Sequence, residues 1–592
     1  MSAQLRQLPY SQRFSVQSYG HSSAKTEALS LPFLDDFSLA TTGLPENRNW
    51  INGGTRVSNT LSVNHPSLNV VSFDGQDAKG KPYNLENQFA NGSADTLTSQ
   101  AIDLSKNVTK DSLYLSFFWQ AKGLGELPDT DDSLRLQFLT DGGIWRTVWK
   151  QIGDKRDKFT QVLLPIKANF YLHAGFRFRF QSFGRLSGNF DTWLLDYIYL
   201  NKNRSFNNTS VVDISARKAI SPIIKGFNTM PLSHFLKNNS KFLADSIKTD
   251  VVNQNANNNF FKYKFTLIEL GTGLVLQSFS ETNDLAISKL TSRELRQKLA
   301  LNTVAFNTKS VKLKSKFEVV TTDDNQLAST PNAIPGLNLR MNDTISSVTT
   351  LDNYYAYDDG SAEYSAGVNS RLARVALRYV FASPDAMTGL QFNFAQTIKS
   401  LEGQNLIIQV SANNGGKPGK VLYQKAVPIS YTKDGFVEYP FDVAVPVKDT
   451  VFVGYLQLTD DEIAIGLDKN STSVNKDLYY NLGLEWIQNS EIIGHLMLRP
   501  VIGGVIPTIV TATEPTIIQE EVTLFPNPVS DILRWNANRF TKVNLFDMMG
   551  KLLIDKEITE NSLDISEITS GLYFVRLSNF TESVIKKVLI KK

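Results

Sequence analysis

Apolar side chains recur at every second position, in short runs, along most of the chain, and that period leaves few folds open. Leu113, Leu115, Phe117 and Trp119 share one parity. Leu134, Leu136 and Phe138 share another, with Arg135 and Gln137 between them. Phe176, Phe178 and Phe180 alternate with Arg177 and Arg179. Successive side chains of a strand point to opposite faces, so each run buries one face and wets the other. Breaks rich in Gly and Asp separate the runs, which predicts antiparallel sandwiches. The chain has no cysteine, so these cores must hold without disulfides or thiolate metal sites.

At 592 residues the chain has room for several domains. Residues 1–30 are polar and aperiodic and read as a loosely packed lead-in. Residues 31–203 carry the first sandwich. Its order, from Leu34-Asp35-Asp36-Phe37 through Trp50 to Trp193-Leu194-Leu195-Asp196-Tyr197-Ile198-Tyr199-Leu200, resembles MAM-like and concanavalin-like jelly rolls. Residues 204–348 form a second β module, expected to be an Ig-like spacer. Phe261 to Leu267 alternates and Gly271-Thr272-Gly273 turns it back. Ser310 to Val319 sets lysines on its wet side, and Thr291 to Arg296 reads as a short helical turn. Residues 349–505 resemble a β-jelly roll found in surface proteins of Bacteroidota, opening with Tyr354 to Glu363. Residues 506–521 lack core periodicity and read as a linker.

The last segment, 522–592, has its own signature. Phe525-Pro526-Asn527-Pro528 predicts an extended entry and a turn. Met548-Met549-Gly550-Lys551 predicts a hairpin. Gly571-Leu572-Tyr573-Phe574-Val575-Arg576-Leu577 and the basic strand around Lys586 and Lys587 complete a small sandwich of six or seven strands. These motifs, in this order, resemble the type A C-terminal sorting domain of type IX secretion cargo in Bacteroidota. The resemblance implies periplasmic passage, engagement of the secretion translocon and sorting machinery, and release or attachment at the cell surface. Without it, the same residues make a terminal Ig-like domain whose Lys586, Lys587, Lys591 and Lys592 guard an edge strand. The fold class is therefore all-β: four tandem sandwiches, namely jelly roll, Ig-like, jelly roll and a small Ig-like sorting domain. Met1-Ser2-Ala3-Gln4-Leu5 has no apolar stretch, so the export reading expects a signal segment removed from ahead of it.

Lys plus Arg is 61 against 58 Asp plus Glu, a balance that argues against a nucleic-acid partner. No run reaches transmembrane length. The five histidines, His21, His65, His173, His234 and His495, form no HExxH or HxH pattern. There is no nucleophile elbow and no P-loop, so no catalytic residue is assigned. Asp196 shares strand parity with Leu194, Ile198 and Leu200 and is expected to point inward, where a carboxylate needs a partner. Two readings stay open: a structural calcium shared with Asp35 or Asp36, or hydrogen bonds to backbone N–H groups or an arginine. No other cofactor is expected. Two more acidic clusters, Asp129-Thr130-Asp131-Asp132 and Asp358-Asp359 with Glu363, read as solvated turns. Arg177, Arg179, Trp145 and Trp149 read as core rather than as a glycan-binding face. Asp95-Thr96-Leu97, Asp132-Ser133-Leu134 and Asp343-Thr344-Ile345 resemble O-glycosylation acceptors of Bacteroidota. The expected function is a secreted or surface-attached adhesin, or an assembly binding glycan or a partner protein. An extracellular hydrolase of polysaccharide or protein, with its carboxylates in the first or third module, and a structural component of the secretion or gliding apparatus are the alternatives.

Overall fold

The closing strand of the first module, Trp193–Asn201, is buried along almost its whole length, and much of the architecture follows from it. In the computed structural model it pairs with Tyr114–Ala121, Val70–Phe73 and Phe33–Asp35, so the first and last strands of the module are neighbours. The structure describes residues 5–10, 27–40, 43–154, 158–301, 306, 309–321, 337–397, 399–432, 435–470, 475–504, 522–548, 550–579 and 583–592. The linker 506–521 and His21 lie outside the described residues.

Two sheets build the first module. One runs Thr160–Pro165, Tyr114–Ala121, Trp193–Asn201, Val70–Phe73, Arg56–Ser58. The other runs Trp50–Gly53, Asn91–Ser99, Phe178–Arg185, Ser133–Leu139, Trp145–Ile152. Between them Phe33, Trp50, Phe117, Trp119, Phe138, Phe178, Phe180 and Trp193 form an aromatic core. The alternating runs named from sequence supply it, because edge-to-face rings pack densely without polar atoms.

The expectation of one wet face fails for the sheet that contains Trp193–Asn201. A register shift lies between Asp196 and Tyr199, and Tyr197 has φ of +54°. Such a bulge reverses parity beyond it. Trp193, Leu195, Ile198 and Leu200 face the first core, whereas Leu194 joins the core of the neighbouring modules. Asp196 is therefore buried with Leu194's parity, towards the second module, and not inward with Ile198 and Leu200.

The second module packs the sheet Ile214–Ala216, Ser246–Asn253, Ser292–Lys298 against Thr229–Pro231, Thr344–Asp352, Val311–Thr321, Asn259–Glu269, Val275–Ser280. Val311–Thr321 alternates as read, with Lys312 exposed and Lys314 and Lys316 half-buried opposite Val311, Leu313 and Phe317. The expected helical turn near Thr291 is instead the strand Ser292–Lys298, which buries Leu295 and Gln297. Pairing with Ser246–Asn253 overrides the helix preference of its Arg, Glu, Leu and Gln residues. Thr344–Asp352 crosses the expected boundary at 348/349 as one continuous strand.

The third module carries the sheet Lys417–Pro428, Asn405–Asn414, Thr450–Leu456, Arg374–Val380, Leu478–Asn481, Trp486–Gln488, faced by Val437–Val447, Asp385–Phe392, Leu498–Ile502. A third sheet runs Arg6–Leu8, Tyr364–Val368, Ile463–Asp468, Phe394–Ala395. The lead-in is thus not loose at residues 5–10: Leu5, Leu8 and Tyr10 are buried and Arg6–Leu8 pairs with Tyr364–Val368. Its polar composition concealed this, because three buried side chains suffice to anchor so short a strand. One continuous apolar cluster, from Leu5 to Ile502, spans the second and third modules and takes in Leu61, Val70 and Leu194 of the first. The second module is therefore not an independent spacer. The tail has a core of its own, built from Val522, Val529, Leu533, Trp535, Val543, Leu545, Val575, Leu577, Val588 and Ile590 among others.

Candidate functional site

The tail packs Leu524–Phe525, Ile532–Trp535, Ser562–Asp564 against Leu552–Glu557, Lys542–Phe546, Gly571–Ser578, Ser583–Ile590, seven strands among the described residues. Phe525 is exposed at its entry, and Pro526 and Pro528 follow in a turn that brings Asn527 to the last strand. Asn527 Nδ2 donates to the Lys587 carbonyl at 3.1 Å, and Leu589 N donates to Asn527 Oδ1 at 2.8 Å. Val529 N donates to the Leu589 carbonyl, and Lys591 N to that of Val529, both at 2.9 Å. The Pro-Asn-Pro motif thereby covers the open edge of the basic strand, whose Lys587 is exposed and Lys586 half-buried.

Gly550, at φ of +77°, closes the predicted hairpin: its N–H donates to the Asp547 carbonyl at 3.1 Å, and Lys551 N to Asp547 Oδ1 at 2.9 Å. Tyr573 Oη donates to the Thr569 carbonyl at 2.9 Å, tying the strand start to the preceding corner. Val575 is fully buried beside it, and Gly571 stands opposite Ile590. Arg576 Nε donates to Asn544 Oδ1 at 3.1 Å, and Asn544 Nδ2 to Asp555 Oδ1 at 2.8 Å, a polar ladder across three strands. The structure joins Asn527 to Lys587 and leaves Gly550 and Lys551 on a separate turn. The edge strand Leu552–Glu557 stays open, with Leu552 and Leu553 exposed.

Of the three acids of the first module, Asp35 is bonded within it, whereas Asp36 and Asp196 lie toward its joint with the second. Asp35 Oδ1 accepts from Phe37 N at 2.8 Å, while its Oδ2 accepts from Trp50 Nε1 at 2.7 Å and Asn49 Nδ2 at 2.9 Å. Asp196 accepts from Ser67 N at 2.9 Å, Ser67 Oγ at 3.0 Å and Tyr197 N at 2.6 Å. Asp36 accepts from Ser38 N and Oγ and, across the joint, from Asn342 Nδ2 at 2.7 Å. Asn342 also donates to Asp213, the acceptor of Tyr197 Oη. Burial, and then the Asp36 charge, push Asp196 well above the ordinary carboxylate range. Two of these donors to Asp196, Ser67 N and Tyr197 N, are backbone N–H groups. Among the described residues the carboxylates that converge within 4.8 Å are instead Asp129, Asp132 and Asp191. Asp132 is buried rather than solvated, and burial raises Asp191 to about 7.

In the third module the acids divide: Asp359 is exposed and accepts from Ser361 N at 2.8 Å in a turn, whereas Asp358 and Glu363 are tied inward. Asp358 is fully buried and ion-paired with Arg499, whose guanidinium lies 3.7 Å from the Phe436 ring centroid. Glu363 Oε2 accepts from Lys469 N, and Asp468 accepts from Asp359 N and Asn470 N. Burial first, then the Asp359 charge, raise Glu363 to about 7. The histidines also serve joints: His65 Nε2 lies 2.9 Å from the Arg217 carbonyl, and His234 bridges Tyr355 Oη at 2.7 Å and Asp385 Oδ2 at 3.0 Å. Among the glycosylation-like triplets, Ser133 is fully buried and Thr344 is exposed.

Two surface features remain. On the outer face of the first module, Arg179 lies 4.4 Å over the Trp145 ring and donates to Gln137 Oε1 at 2.9 and 2.7 Å. Arg135 lies 4.8 Å from the Phe183 ring centroid on the same face. Trp149 packs on Phe117, in the core as read, whereas Trp145 and Arg179 do not. The second feature, unforeseen from sequence, is a cleft lined by Leu5, Arg6, Lys122, Leu124, Lys469 and Ile492 among others. Its residues come from four separate stretches, so no local pattern could have pointed to it.

Fold and tail together define a class: a multi-sandwich β protein that ends in a separately cored module. Residues 523–591 match the family described as the secretion system C-terminal sorting domain. The tail marks the chain as type IX secretion cargo, exported to the medium or the cell surface and engaging that machinery. The described residues include no helix long and apolar enough to cross a membrane. No curated protein sequence matches the chain. Among solved structures, a Bacteroides uniformis β-glucuronidase is 12% identical, with a TM-score of 0.21 over 54% of this chain and 33% of that one. The K1 cleaved adhesin domain of Lys-gingipain from Porphyromonas gingivalis W83 is 12% identical, with a TM-score of 0.20 over 29% of this chain and 99% of that one. The CBM22-1 xylan-binding domain from Paenibacillus barcinonensis is 9% identical, with a TM-score of 0.18 over 30% and 98%. The chain spans about a third of the length of the β-glucuronidases it matches. Superpositions this loose carry no argument about what the chain does.

Proposed function

We propose that the three upstream modules form a non-catalytic adhesin or binding assembly, shown on the surface of a Bacteroidota cell, and that the outer face of the first module binds glycan. The observation that carries this reading is the arginine–aromatic row on that face. Arg179 is held 4.4 Å over Trp145 by its two bonds to Gln137, with Arg135 beside Phe183 on the same sheet. Rings present apolar faces to sugar C–H groups, and fixed guanidinium N–H groups recognise hydroxyl and carboxylate oxygens in a plane. The joints between modules support the same reading, because a rigid body presents such a face without an ordering cost.

A hydrolase would set two carboxylates about 5–10 Å apart across a groove. The raised acids Asp74, Asp95, Asp132, Asp191, Glu363 and Asp468 are instead each bonded by backbone N–H donors. Glycan-array binding of the full chain tests the proposal, with Trp145→Ala and Arg179→Ala beside it. Binding that both variants lose supports the assignment. Binding that survives both, or turnover of a polysaccharide without stable binding, overturns it.

A further inference from the structure

The cleft has a volume of about 480 Å³ and opens where the strand Arg6–Leu8, the loop 122–125 of the first module and the stretch around Lys469 and Ile492 of the third meet. Its floor is aliphatic: Leu5 and Ile492 are buried, and Leu124 and Ile493 half-buried. Three cations, Arg6, Lys122 and Lys469, face a single carboxylate, Glu491. Arg6 is already ion-paired with Glu462. The Lys122 ammonium is exposed and has no hydrogen-bond or ion-pair partner among the described residues. Lys469 is only 5% exposed and donates one bond, to Gln7 Oε1 at 2.9 Å. Its Nζ also lies 5.8 Å from the Tyr364 ring centroid, and because an ammonium has three donors, hydrogen-bonding capacity is left over.

The two lysines sense one another. Burial foremost, with the Lys122 charge adding to it against the opposing pull of Glu363, lowers Lys469 to about 8. Two like charges at the mouth of a partly dry cleft favour a bound anion, which each of them stabilises. No aromatic ring lines the cleft, so it lacks the stacking platform that a sugar uses. Its volume lies within the usual range for small-ligand sites.

We propose that the cleft binds an aliphatic carboxylate, with the carboxyl group between Lys122 and Lys469 and the chain laid over Leu124 and Ile492. The site is independent of the arginine–tryptophan face, and neither assignment needs the other. A short free acid and the C-terminal end of a peptide present the same chemistry, and the two arms of one experiment separate them.

The full chain is titrated calorimetrically at pH 7 and low salt with hexanoate and with N-acetyl-Leu-Leu, each beside its amide. Carboxylates are expected to bind about tenfold more tightly than amides, as charge-assisted bonds require. Stronger binding of the peptide acid makes a peptide end the source; stronger binding of hexanoate makes it a small acid. Lys122→Met should weaken the carboxylate about tenfold without changing the melting temperature, since its ammonium bonds nothing in the fold. Affinity should also fall as pH rises through about 8, where Lys469 loses its proton. Equal binding of acid and amide, unchanged affinity in Lys122→Met, or no binding at millimolar acid each overturns the proposal.

Discussion

Arg499 and Asp358 are a buried pair, with side chains 9% and 0% exposed. Removing one partner strands a charge in a dry site, so Arg499→Met is expected to cost about 3–5 kcal/mol. Adding Asp358→Asn should recover part of that loss. Denaturant unfolding of the two variants checks it, and a cost of Arg499→Met near zero would mean that water reaches the pair. Glu363 yields a pH dependence with a definite sign. Its carboxyl is raised from 4.5 to about 7, so the folded state holds the proton more tightly than the unfolded one. Its stabilising contribution is then complete below pH 4.5 and is lost as pH rises through about 7. Relative to Glu363→Gln, the natural chain should lose melting temperature across that window and stay level above it. A difference that is flat with pH would refute the assignment. Neither residue was legible as a buried tie within the third module: Asp358 and Glu363 sit in a polar run that reads as a turn, and their partners lie 141 and 106 positions away.

At the scale of elements, short strands decide how the modules meet. Arg6–Leu8 occupies the edge of Tyr364–Val368, and Tyr10 Oη donates to Asn393 Oδ1 at 3.0 Å. Deleting residues 1–10 removes Leu5, Leu8 and Tyr10 from the core, each worth roughly 1.5–3 kcal/mol when fully buried. The expected outcome is a drop of several kcal/mol in unfolding free energy, with the second and third modules still melting together. An unchanged denaturant midpoint would show that the strand only rests on the sheet. Period-two patterns identified the long strands, such as Val311–Thr321, because half of each lies in a core. They missed Arg6–Leu8 and Ser292–Lys298, because three residues carry no period and helix-forming side chains mask a strand held by its neighbour. The turn Gly271-Thr272-Gly273, with Gly273 at φ of +74°, was legible from composition, since few other residues accept that geometry.

For the whole molecule the governing fact is which cores are shared. The tail has its own, whereas the second and third modules share one, and Tyr364 reaches Glu126 N at 2.9 Å and Thr192 Oγ1 at 3.2 Å in the first. Removing residues 522–592 is therefore expected to move the main calorimetric transition by no more than about 2 °C, a shift equivalent to roughly 1–2 kcal/mol for a unit of this size. The same deletion should abolish export, which fractionation of culture medium, cell surface and periplasm reads directly. Loss of the main transition would mean that the tail completes the fold of its neighbours, and unimpaired export would remove its role as a signal.

What the sequence determined by itself is local: the strand period, the turns that need positive φ, and the ordered motifs of the tail, all of which act over a few neighbouring residues. The tertiary structure decided the rest. It placed Asp196 at a joint by a bulge, tied residues 5–10 into the third module, fused two expected modules around one core, and gathered Lys122 and Lys469 at one cleft. Those outcomes depend on contacts between distant stretches, where burial of a whole face outweighs the preference of any short segment.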